Sequence, residues 1–198
     1  MKTKNLVWMP VLALLASGCS ITPMHKELDA PAHRVQGTVA TAGTATGMPA
    51  GKVGWGRITL FAIPVAPVRV EGDASRETMN FVREALATAG YSVNTLEAGA
   101  RAPGPVLTVA IRQYKFNNYT WLAPLIFTWG RIELEATLKG SDNRDLWKKT
   151  YLGKGTSLNI TQGFTGSASK CMTRVLNQMV ADFTTPAFTA ALGGAPPQ

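Results

Sequence analysis

The nine residues Arg131–Lys139 constrain the fold more than any other stretch. Ile132, Leu134, Ala136 and Leu138 alternate with Arg131, Glu133, Glu135, Thr137 and Lys139. Successive side chains of a strand point to opposite faces, so this pattern requires a sheet with one face buried and one face wet. Gly140-Ser141-Asp142-Asn143 supplies turn formers, and Leu146 to Gly153 reads as the returning hairpin strand. A wet face on one side leaves the other for helices, and two segments have the matching 3.6-residue period. From Ser75 to Ala89, Met79, Val82, Ala85, Leu86 and Ala89 share one face, and Gly90 is placed to end the helix. From Ser167 to Phe183, Met172, Val175, Leu176, Met179 and Phe183 do the same.

Further strands are expected at Arg57–Ile63, stopped by Pro64, at Tyr91–Leu96, and from Val106 to about Phe116. The expected fold is α+β: a mostly antiparallel sheet of about five strands with two helices packed on one face, in the order β-α-β-β-β-β-α. Residues 19–52 are rich in Thr, Ala, Gly and Pro without apolar periodicity. They are expected to be a flexible tether spanning roughly 30 Å. The folded domain is expected over 53–186 and a frayed tail over 187–198.

The amino terminus carries an address. Lys2 and Lys4 give a basic start, and Leu6 to Leu15 is an apolar run too short to cross a bilayer. Ala16-Ser17-Gly18-Cys19 follows as a small-residue cleavage site ending in cysteine, and it resembles a bacterial lipobox. Leucine usually stands three residues before the cysteine; here Ala16 does. The resemblance implies a signal peptide over 1–18, acylation of Cys19, and a membrane partner met through those acyl chains. Ser20, where aspartate favours inner-membrane retention in many Gram-negative bacteria, implies an outer-membrane, periplasm-facing protein. An ordinary secretory signal cut near Gly18 is the alternative.

Removing residues 1–18 leaves 180 residues, enough for one domain, and lowers the net charge from +8 to +6. The basic residues are scattered, with Lys148-Lys149 the only adjacent pair after the signal and no reading motif around them, so nucleic acid is not an expected partner. Acylation of Cys19 leaves Cys171 unpaired in an oxidising compartment, where its apolar helical setting predicts a core thiol. A Cys19–Cys171 disulfide would require an unlipidated Cys19.

The uncharged segment Tyr119–Trp129 is dense in aromatics and interrupted by Pro124. Exposed, it would offer Trp121, Leu122, Leu125, Ile126, Phe127 and Trp129 to a membrane or an envelope protein partner, with the indoles at headgroup depth. Buried, it would be an ordinary connection closing one end of the core. Both readings stand at this point.

Catalytic and metal chemistry find little support. Ser167-Ala168-Ser169-Lys170 and Ser141-Asp142-Asn143 match two motifs of penicillin-recognising serine enzymes. Their order is reversed and no Lys-Thr-Gly strand accompanies them, so they read as helix-start and turn chemistry. His25 and His33, the only histidines, fall in the expected tether, and Glu133 and Glu135 share the wet face with Arg131 and Lys139, which balance their charge. No cofactor or metal is expected, and no enzymatic activity.

The lipobox, the helix ending Ala87-Thr88-Ala89-Gly90-Tyr91, the strand after Pro105, the hairpin and the closing helix together resemble the YajG-type family of small outer-membrane lipoproteins. The resemblance covers about residues 75–186 and rests on layout and a few residue types. The aromatic segment and the long Thr/Ala stretch depart from it. That family's activity is undefined. Related layouts occur in auxiliary lipoproteins of lipid-transporting ABC systems, which implies lipid handling as an alternative role.

Overall fold

The structure, a computed structural model, describes residues 19–49, 52–58, 63–96, 104–120, 126–159 and 165–193. These residues form eight strands and three helices in the order β1 (Cys19–Ile21), β2 (Gly37–Thr41), β3 (Lys52–Ile58), β4 (Ile63–Val70), α1 (Ala74–Ala89), β5 (Tyr91–Thr95), β6 (Val106–Thr120), β7 (Ile126–Lys139), β8 (Asp145–Asn159), α2 (Thr165–Phe183) and α3 (Pro186–Ala191). The fold is α+β. From β4 to α2 the order of elements is the expected one. The sheet, however, is mixed and larger than five strands.

The long strand β6 organises the sheet. One edge pairs antiparallel with β7 from Val106↔Lys139 to Thr120↔Ile126, and β7 pairs in turn with β8. The other edge is shared. Its first residues take β2 in parallel (Ala40↔Val106), and its last five take β3 in parallel (Gly54↔Phe116 to Ile58↔Thr120). Between them the chain after β2 follows the middle of β6, with Thr46 N–H donating to the Val109 carbonyl at 2.9 Å and Ile111 N–H donating to the Thr46 carbonyl at 2.7 Å. β5 adds to β2 in parallel; β4 adds antiparallel to β3, and β1 parallel to β4.

Two expectations are corrected here. Residues 19–52 are not a free tether, because they contribute β1, β2 and the start of β3, and Ile21, Val35, Val39 and Ala45 are buried in the common core. The stretch between β1 and β2 lies across both long helices. Lys26 N–H donates to Thr173 Oγ1 at 2.9 Å and Asp29 N–H to Asn177 Oδ1 at 3.1 Å. His25 sits 2.9 Å from a Glu84 carboxylate oxygen and packs edge-on against Phe81. After β2, Arg83 of α1 donates to the carbonyls of Ala42 and Gly43 at 2.8 and 2.9 Å. Backbone pairing and side-chain clamps, rather than apolar periodicity, order this region.

The tail is corrected likewise. Thr185 caps α3, which begins at Pro186, and Phe188 is fully buried against Trp147, Phe183 and Tyr91. Residues 194–198 lie outside the described residues.

Local chemistry explains the element ends. Asp73, not Ser75, caps α1 by accepting from Arg76 N–H at 3.0 Å, and Gly90 ends it at φ 109° in the left-handed region. Pro64, expected as a strand stop, lies inside β4. Strand β1 pairs with Val68–Val70, so among the described residues no ladder on the outer edge of β4 needs an N–H at Pro64 or Pro67. The expected single strand over 57–63 is instead the meeting of β3 and β4, and residues 59–62 lie outside the described residues.

Candidate functional site

The two faces of the sheet differ because of what α2 demands. On the inner face Phe116, Ile132, Leu134, Ala136, Leu138 and Tyr151 are buried, together with Met172, Val175, Leu176 and Met179 of α2. Glycines let the helix approach closely. A Cβ on Gly153 would stand 2.0 Å from the Cys171 carbonyl oxygen, and one on Gly130 would stand 2.2 Å from the Phe116 ring.

Side chains directly opposite one another on paired strands share a face, so the register lays out the outer face in rows. Nearest the end of the sheet lies Arg57–Tyr119–Phe127–Leu158. Phe127 is 40% exposed and Leu158 64% exposed, which is unusual for residues of this size on a strand. Two residues further in lies Trp55–Asn117–Trp129–Thr156, and two further again Lys115–Arg131–Lys154. The ammonium of Lys52 sits 4.0 Å from the Trp55 ring centroid, and that of Lys115 sits 6.0 Å from the Trp129 centroid. Lys52, Trp55, Arg57, Lys115, Tyr119 and Trp129 line an open groove of about 490 Å³.

The charges on this face are sorted. Deeper along the strands, Glu135 is bracketed by Arg112 at 2.7 Å and Lys148 at 3.0 Å, and Glu133 by Arg131 at 2.9 Å. Hydrogen bonds from Arg112 and Lys148 hold the Glu135 carboxyl below its usual range. Lys52, Arg57 and Lys115 make no ion pair among the described residues, and the buried Nε of Arg57 has no hydrogen-bond acceptor there. The groove is therefore aromatic and uncompensated positive: suited to a phosphate-bearing or other anionic group held against ring faces.

Of the sequence-predicted contact residues, the structure brings Phe127 and Trp129 to this face and places Ile126 as the first residue of β7. Trp121, Leu122 and Leu125 lie outside the described residues, as does the side chain of Cys19, whose backbone opens β1. Sequence reasoning missed Lys52, Trp55, Arg57 and Lys115. Their signal was weak, since Lys52 closes the expected tether, and only the parallel pairing of β3 with β6 brings Trp55 into one row with Trp129.

A larger cavity of about 940 Å³ runs between the outer edge of β8 and α2. The cations that α2 contributes, and Gln178 beside them, are already engaged. Lys170 donates to the Thr156 carbonyl at 3.0 Å, Arg174 to Lys154 at 2.9 Å and Gln178 to Leu152 at 3.4 Å. Four helical residues rise about 6.0 Å and two strand residues about 6.6 Å, so the helix reaches every second carbonyl of the edge and protects it. This geometry also answers the Ser-x-x-Lys motif, because Ser167 is fully buried and the Lys170 amine is directed to β8. Asp142 merely accepts from Arg144 N–H in the hairpin turn. Among the described residues no cluster of His, Cys, Asp and Glu is placed to hold a metal. No described helix is long and apolar enough to cross a membrane.

These features define an α+β domain in which a mixed sheet carries helices on one face and an aromatic, basic groove on the other. No protein-family model and no curated protein matches the chain. Among solved structures it is similar to a Xanthomonas campestris protein of the DUF330 family, at 14% identity and a TM-score of 0.53, covering 88% of this chain and 96% of that one. It is also similar to the PelC dodecamer from Paraburkholderia phytofirmans, at 15% identity and a TM-score of 0.38, covering 79% of this chain and 96% of that one. The first likeness establishes a shared fold; the second is too distant to carry an argument.

Proposed function

We propose that the protein is a lipid-anchored outer-membrane lipoprotein, facing the periplasm, that acts as a non-catalytic binding or accessory subunit of the bacterial envelope. The observation that carries this reading is the junction at Cys19. A basic start, a short apolar run and Ala16-Ser17-Gly18 precede the cysteine. One acyl chain binds a membrane only marginally, whereas two or more give lasting attachment, so the diacylglycerol and amide-linked chains of a lipoprotein suffice as its only anchor. The test is Cys19→Ser. The variant is expected to accumulate as an uncleaved or soluble form without the acyl mass carried by the wild type. Normal outer-membrane fractionation of that variant through an intact acyl anchor would overturn the reading.

A second reading is favoured by the exposure of Phe127 and Leu158. As an auxiliary lipoprotein of an ABC-type transport system, the chain would engage lipid directly through segment 119–129. Lipid co-purifying with the wild type and lost on Phe127→Ser would favour it; an envelope protein crosslinked in place of lipid would favour the accessory role.

A further inference from the structure

We propose that the Phe127–Leu158 end of the sheet docks on an anionic phospholipid bilayer, with Trp55 and Trp129 at the interface and Lys52, Arg57 and Lys115 on lipid phosphates. The inference deepens the anchored-lipoprotein reading and rests on it for orientation.

The first argument is the order of chemistry along the strands. From the sheet end inward, the outer face of β7 and β8 passes from Phe127 and Leu158, through Trp129, to Arg131 and Lys154, while Arg57 of β3 and Tyr119 of β6 share the outermost row. Each step is two residues, about 6.6 Å. Apolar, then indole, then cation is the sequence met on passing from hydrocarbon through the interface to the headgroups. A protein-binding patch has an apolar centre ringed by polar groups. Here the gradient runs one way, toward one end.

The second argument is charge. The acids of this face, Glu133 and Glu135, lie on the far side of the indoles from Phe127 and are matched by Arg131, Arg112 and Lys148. The cations beside the indoles have no such partners among the described residues. Lys52 and Lys115 stand over ring faces with their ammonium groups open to an external anion.

The third argument is where the anchor enters. β1 is parallel to β4, so its first residue, Cys19, enters from the end of the sheet at which β4 begins and at which β3 and β6 finish. Through Val68, Gly54 and Phe116, Cys19 is in register with Gly130, three residues from Phe127. Three strand residues span about 10 Å, comparable to the roughly 5–10 Å to which interfacial apolar faces bury. With the acylated cysteine at the lipid backbone, the same bilayer meets Phe127 and Leu158. Because Cys19 itself pairs with Val68 in the sheet, no long tether separates the two.

The test is vesicle flotation of the chain from residue 19 onward, which contains every described element, carrying Cys19→Ser so that no acyl chain contributes. The vesicles are phosphatidylcholine alone and phosphatidylcholine with phosphatidylglycerol. The chain is expected to float with the phosphatidylglycerol vesicles and only weakly with the neutral ones. Lys52→Gln with Lys115→Gln should weaken binding about 25-fold, at about fivefold per juxtamembrane charge, and raised salt should have a similar effect. Phe127→Ser with Leu158→Ser should weaken binding to both vesicle types. An unchanged cooperative unfolding transition shows each variant to be folded. Binding indifferent to phosphatidylglycerol, binding unchanged in the double lysine variant, or no binding would each overturn the proposal. Those results leave the anchor untouched, because the acyl mass on wild-type Cys19 is measured separately. An unmodified wild-type Cys19 would instead overturn the anchor and leave the vesicle result standing.

Discussion

The two faces of β6, β7 and β8 come from alternating residues, interrupted by register shifts at Ile111/Gln113 and Leu138/Lys139, yet they do opposite work. Phe116 is fully buried under α2, while Lys115 and Asn117 on either side of it face the groove. Gly130 is pressed against Phe116, while its neighbour Trp129 lies half-buried beside Lys115. The inner face is set by volume, to within a methyl group; the outer face is set by the order of its chemistry and leaves large apolar side chains in solvent. Stability should therefore reside on one face and recognition on the other.

The largest expected effect tests that division directly. Phe116→Ala should destabilise the fold by about 3–5 kcal/mol, since a large ring is lost from a site enclosed by Tyr114, Gly130 and the α2 packing. Phe127→Ser with Leu158→Ser, on β7 and β8 and on the other face, should change stability by no more than about 0.5 kcal/mol. Denaturant unfolding of both variants measures the contrast. Equal losses would place Phe127 and Leu158 in the core and end the distinction between the faces.

The next effect concerns the closeness of α2. Gly153→Ala places a methyl 2.0 Å from a carbonyl oxygen and 2.9 Å from the Val175 side chain, and neither backbone can yield without moving the helix. Overpacking of this kind costs typically about 1–3 kcal/mol. A shift of α2 would also loosen the hydrogen bonds from Lys170, Arg174 and Gln178 to the β8 edge, so exchange protection should fall along both elements. An alanine tolerated with unchanged stability would show that the helix does not rest on the strand backbone.

These glycines also show where the sequence was readable and where it was not. The alternation of β7 and the apolar faces of α1 and α2 are local patterns, and Ile132, Leu134, Met79, Val82, Met172 and Phe183 are buried as their spacing requires. β8 runs on to Asn159 beyond the expected Gly153, because Gly153 and Gly155 carry no hydrophobic signal although the helix packs on them. β1 and β2 were invisible for a different reason. Both are short, rich in small or polar residues, and held by parallel partners far along the chain, at Val68–Val70 and Tyr91–Thr95. The groove was half legible. Trp129 and Phe127 stood out by composition, whereas Trp55 and Lys52 gained meaning only from a pairing between residues about 60 positions apart.

The smallest effect probes the same inner face through its one described thiol. Cys171 is free and fully buried, and burial pushes its pKa from an ordinary value near 9 up to about 12, against a weaker downward pull from Arg174. The thiolate is the reactive form, so the folded protein should resist alkylation by iodoacetamide at pH 8, and labelling should follow opening of α2 from β8. The sign of the linkage is fixed by the direction of the shift. Between the two values the unfolded chain has released a proton that the fold retains, so stability should fall as pH rises above about 9. Burial also raises Tyr114 and Tyr151, which extends the same loss further into the alkaline range. Gly153→Ala should then label faster than wild type, whereas the Lys52→Gln, Lys115→Gln pair should label at the wild-type rate. Rapid, stoichiometric labelling of the native wild type would mean that the helix does not seal this face, and the two faces would no longer differ in the way their chemistry implies.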